Sequence, residues 1–65
     1  MKEIRLVTML NGKVVLDSVA KKGETVASIC RLADLEVLDG FADRADVLVD
    51  GKLHKTFTKD AYEEP

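Results

Sequence analysis

Two dipeptides constrain the fold more than anything else in this chain. Asn11-Gly12 and Asp50-Gly51 each stand between two runs rich in Val, Leu, Ile and Thr. Asn, Asp and Gly tolerate the positive φ that a tight hairpin needs, so each dipeptide in that setting marks a hairpin. The first joins Lys2–Leu10 to Lys13–Val19, and the second joins Ala45–Val49 to Lys52–Thr58. A two-residue turn would set Leu6 opposite Asp17 and Leu10 opposite Lys13, scattering apolar residues over both faces. A three-residue loop with glycine in a left-handed bulge position segregates them better. Leu6 then faces Leu16, Thr8 faces Val14 and Ile4 faces Ser18, while Arg5 meets Asp17 on the other side. In the second hairpin Val47 faces Leu53, with Val49 and Phe57 on the same side. A slip of one residue exchanges the faces of a strand, so the cleaner segregation selects the bulged loops.

Between the hairpins, "KKGETVASICRLADLE" carries the spacing of a helix over Thr25–Leu35. Thr25 caps it by accepting a first-turn N–H. Val26, Ile29, Cys30 and Ala33 follow the i, i+3, i+4, i+7 spacing of a buried stripe, with Leu32 on its flank. Ser28, Arg31 and Asp34 fall on the wet side. The stretch "EVLDGFADRAD" then reads as an irregular connection in which Leu38 and Phe41 plug the end of the core.

The order strand, strand, helix, strand, strand gives an α+β domain over residues 1–65. Its compact arrangement lays the helix across one face of a four-stranded mixed sheet, with the first and last strands parallel at the centre. Lys13–Val19 and Ala45–Val49 are then the edges. This ββαββ order is the β-grasp, or ubiquitin-like, plan. Residues Lys59–Pro65 form a polar tail, with a last helical turn capped by Thr58 and Tyr62 folded back onto the domain.

The motifs carry a resemblance. "KKGETVASICRLADL" resembles the "GxTVxxLLxxL" helix entry of the small sulfur carriers of thiamin and molybdopterin synthesis, and "VLVDGKLHKTF" resembles the "VAVNGEVV" that follows it there. The hairpin-helix-hairpin plan, with "LNGK" and "KTFT", is also similar to bacterial immunoglobulin-binding domains. The likeness covers nearly the whole chain, but as hairpin and helix grammar, which specifies fold better than function. A carrier would imply a flexible C-terminal Gly-Gly that a partner enzyme adenylates and thiocarboxylates. Glu63, Glu64 and Pro65 stand in that place, and no glycine follows Gly51. A degenerate or processed carrier is therefore the alternative reading, and an interaction module the first.

A chain of 65 residues with a net charge of −2 and one cysteine holds one small domain without an internal disulfide. Lys52, His54, Lys55 and Lys59 form a local basic cluster without aromatic stacking partners, so nucleic-acid binding is the weakest alternative. No segment approaches the ~20 apolar residues of a membrane span, and a cytoplasmic location is expected. Cys30 reads as a small buried hydrophobe rather than a nucleophile, and His54 as a surface residue. Asp39, Asp43, Asp46 and Asp50 lack the order of a calcium loop and read as a solvated connection. No catalytic residue, cofactor or metal ligand is expected.

What remains is the outer face of the sheet. Val7, Met9, Val15, Val19 and Leu48 fall there once the inner residues are assigned. Adjoining apolar residues on an open face form a surface for another protein or for self-association. The expected function is thus a small adaptor, complex subunit or inhibitor that acts through this face or through an edge strand.

Overall fold

The computed structural model describes residues 2–62. The elements run β1 (Ile4–Leu10), β2 (Lys13–Val19), α1 (Val26–Leu38), β3 (Arg44–Val49), β4 (Lys52–Thr58) and a single 3₁₀ turn, Lys59–Tyr62. Glu63, Glu64 and Pro65, on which the carrier reading turns, lie outside the described residues.

Both hairpins close with two-residue turns, not three-residue loops. Asn11 and Gly12 have φ of 54° and 79°, and Asp50 and Gly51 have 52° and 81°, the doubly left-handed turn whose twist matches a hairpin. Leu10 pairs with Lys13 and Val49 with Lys52 across these turns. The extra residue sits in the strand instead. Val15 and His54 have no cross-strand partner, and beyond each bulge the ladder resumes with Thr8 opposite Leu16 and Val47 opposite Lys55. A bulge shifts the side-chain alternation by one, as an odd loop would. Leu16 and Phe57 therefore face the core as expected, whereas Val14, now opposite Met9, and Leu53, now opposite Leu48, face outward.

The sheet order is β2-β1-β3-β4, and every pairing is antiparallel. This corrects the mixed sheet expected from the β-grasp order, in which β4 would lie parallel beside β1. Here β3 takes that central place, and β4 replaces it as an edge. The residues explain the exchange. Ala45 and Val47 of β3 are completely buried, while β4 carries Lys52, His54 and Lys55, all exposed. A central strand is flanked by a neighbour on each side and suits the more apolar run, whereas lysine belongs on an edge.

Hydrogen bonds pin the central pair at both ends. The Asp50 N–H donates to the Glu3 carbonyl, and the Glu3 N–H donates to Asp50 Oδ1, both at 2.8 Å. At the other end the Asp43 N–H donates to the Met9 carbonyl, and Asp43 Oδ2 accepts the Asn11 N–H at 3.0 Å.

Helix α1 starts as expected, with Thr25 Oγ1 accepting the Ser28 N–H at 3.1 Å and Ser28 Oγ accepting the Thr25 N–H in return. It ends a turn later than expected, at Leu38. Gly40, at φ 84°, supplies the left-handed residue that lets the Phe41 N–H reach the Glu36 carbonyl and the Gly40 N–H reach that of Val37. That last turn decides the core. Val37 stands four residues after Ala33 and joins Ile29 and Ala33 against Ile4, Leu6, Ala45 and Val47. Leu38 and Phe41 are turned out, 56% and 67% exposed, so neither plugs the core end; Val37 and Ala42 are buried there instead.

Candidate functional site

The strand register arranges the open sheet face as three rows. Val14, Met9, Arg44 and Thr58 lie side by side across β2, β1, β3 and β4. The next row is Asp17, Val7, Asp46 and Thr56, and the third is Val19, Arg5, Leu48 and Leu53. Val7, Met9, Val19 and Leu48 occupy the expected face. Val15 does not belong to a row: it is the unpaired bulge residue, exposed at the sheet margin. Val14 and Leu53, each 57% exposed, also lie on this face, although the three-residue loops expected from the sequence put both on the core side.

Charge divides the face. Arg5 Nη1 lies 3.4 Å from Asp17 Oδ1 and Arg5 Nη2 lies 3.9 Å from Glu3 Oε2. Arg5 and Asp17 are diagonal rather than opposite, because the ladder runs two residues beyond the expected register. Asp46 Oδ1 accepts Arg44 Nε–H at 3.1 Å and Thr56 Oγ1–H at 2.9 Å. Exposed pairs of this kind stabilise a fold by only about 0–1 kcal/mol, but they fix where charge sits. They leave two apolar corners, Val14–Met9 and Leu48–Leu53, with Val7 adjoining, while Val19 stands apart beside Arg5 and Asp17. The face can therefore bury aliphatic groups at its corners and meet charge in its middle.

The other singled-out residues serve the fold. Cys30 is half-buried and packs against the core stripe. His54 is exposed at the β4 bulge. Lys55 lies on the helix side of the sheet, opposite Val47, with Nζ 5.1 Å from the centre of the Phe57 ring. Lys52, opposite Val49, lies on that same side. Asp43, Asp46 and Asp50 are not a solvated connection but hydrogen-bond acceptors that secure strand ends and neighbours, and Asp39 caps α1. Among the described residues no group of three or more His, Cys, Asp or Glu could hold a metal ion. No helix among them is long and apolar enough to cross a membrane.

Tyr62 folds back as expected, donating its hydroxyl hydrogen bond to Asp34 Oδ1 of α1. That bond, then burial and the Asp34 charge, raise the phenol above its ordinary pKa of 10.0. An open cleft of about 820 Å³ lies between the start of α1 and the β1–β2 margin, floored by Ile4, Val19, Ala20 and Val26 and rimmed by Lys2, Lys21 and Lys22. Of its lining residues, Glu24 serves the loop: its Oε1 accepts the Lys21 N–H at 2.7 Å.

No protein-family model matches this chain, and no curated protein or solved structure is significantly similar to it.

Proposed function

We propose that this chain is a small, non-catalytic protein-interaction module whose open sheet face contacts another protein. The observation that carries the proposal is the pairing of Val14 with Met9 and of Leu48 with Leu53 on a face that no other element of the described chain covers. Isolated exposed aliphatic residues are ordinary on a soluble domain, but cross-strand pairs of them make continuous apolar area. The charged middle, with Arg5, Asp17, Arg44 and Asp46 held by one another, supports a partner that presents its own charge there and aliphatic groups on both sides. A domain of this kind serves as an adaptor, a subunit of a larger assembly or an inhibitor.

Photo-crosslinking tests it: a photoreactive residue at Leu53 should give a discrete adduct in the native cell, and one at exposed Arg31 should not. Adducts that are equal at both positions, or absent from both, would overturn the proposal.

A further inference from the structure

Helix α1 lies over β1, β3 and β4, so the helix-side margin of β2 stands open. The cleft beside the start of α1 lies against that margin. Two further observations meet there. The first is a free strand edge. The Ala20 N–H donates to the Ile4 carbonyl at 2.8 Å, so bonded pairs fall at Ile4–Ala20, Leu6–Ser18 and Thr8–Leu16. By the alternation of an antiparallel ladder, the N–H and C=O of Asp17 and Val19 then point away from β1. β2 ends the sheet, and no further strand of the described chain pairs with it. The bulge at Val15 guards the first half of that edge but not Asp17–Val19.

The second observation is charge. Lys2, Lys21 and Lys22 rim the cleft, and none has an ionic partner among the described residues. The acids nearby are taken. Glu24 accepts the Lys21 N–H, while Glu3 and Asp17 lie 3.9 Å and 3.4 Å from Arg5. The free backbone groups call for another backbone, the floor of Ile4, Ala20 and Val26 for an aliphatic side chain, and the lysines for carboxylates. We infer that an extended acidic segment of a partner protein adds to β2 as a further, antiparallel strand. It bonds to the free groups of Asp17 and Val19, lays an aliphatic side chain in the cleft and sets its acids against the three lysines. Antiparallel addition continues the pattern of every pairing in this sheet. Because β2 runs toward Lys21, the acids then stand at the segment's N-terminal end. The inference rests on reading the chain as an interaction module, but it uses the edge of the sheet and not its open face.

Titration of the full chain with the synthetic peptide acetyl-Glu-Glu-Leu-Thr-Leu-Thr-amide, followed by amide NMR, tests it. The peptide should bind saturably below about 1 mM, with the largest shifts between Asp17 and Ala27, and more weakly as salt rises. The same peptide with lysine in place of glutamate should not bind. Val19→Pro deletes an outward N–H, which an edge strand tolerates, and should weaken binding by about tenfold or more with unchanged circular dichroism. Lys21→Glu with Lys22→Glu should do the same without touching the ladder. Val14→Glu with Leu53→Glu strikes the open face alone and should leave the peptide's affinity unchanged. No binding, equal binding of the lysine peptide, or equal binding by the Val19→Pro and double-lysine variants would overturn the inference and leave the open face to its own test. Loss of the peptide with Val14→Glu and Leu53→Glu would also overturn it, by moving the site to that face. Two further outcomes would overturn it if the peptide gives no shift: sedimentation of the chain with phosphatidylserine vesicles, which assigns the lysines to a membrane, and shifts at Asp17–Val19 on concentrating the chain alone, which assign the edge to a second copy.

Discussion

Glu3 and Asp50 hold each other through two hydrogen bonds of 2.8 Å, one from each backbone N–H, although they stand 47 residues apart in the chain. The pair closes the ladder between β1 and β3, so a turn residue of the second hairpin also fixes the central strand pairing. Asp50→Ala removes the carboxylate acceptor and places alanine at φ 52°. We expect a loss of about 1–2 kcal/mol, read as a lower urea midpoint with unchanged slope, with Asp50→Asn much milder because asparagine tolerates that φ.

The N-cap offers a second test. Thr25 and Ser28 bond reciprocally at the start of α1. Thr25→Ala should cost about 1 kcal/mol in thermal or denaturant unfolding, and Thr25→Ser should cost little.

The last turn of α1 separates core from surface within two residues. Val37 is buried and Leu38 is exposed. Val37→Ala should destabilise the chain by roughly 1–3 kcal/mol, a large share of the roughly 3–10 kcal/mol a domain of this size has, while Leu38→Ala should stay within about 0.5 kcal/mol at dilute, monomeric concentration.

Tyr62 gives a pH dependence with a definite sign. Its phenol is raised above 10.0, first by the hydrogen bond to Asp34. The folded pKa exceeds the unfolded one, so the stabilisation is fully present below pH 10 and is lost as pH rises through the folded value. Tyr62 is the chain's one tyrosine, so tyrosinate absorbance reports it alone. The titration midpoint should fall back toward the ordinary value in Asp34→Ala.

Much of this architecture is written locally. Asn11-Gly12 and Asp50-Gly51 mark both turns, Thr25 marks the helix start, and alternation places Leu6, Leu16, Val47 and Phe57 inward. The bulges are not visible in that pattern, because an odd loop and an in-strand bulge give the same alternation beyond them. The difference falls on Val14 and Leu53, the two residues that enlarge the sheet face. Strand order is non-local, yet the lysines of β4 against the apolar run of β3 did carry the signal for which strand lies at the edge. The last turn of α1 is hidden for another reason: the Gly40 cap that carries the helix past Leu35 to Leu38 depends on backbone geometry.

The central claim is that the open sheet face is an interface. The most direct measurement compares what immobilised chain retains from the native cell with what a Val14→Glu, Leu53→Glu chain of equal stability retains. The account predicts one partner held in stoichiometric amount by the first and lost from the second. Equal retention by both chains, or no specific retention by either, would contradict it.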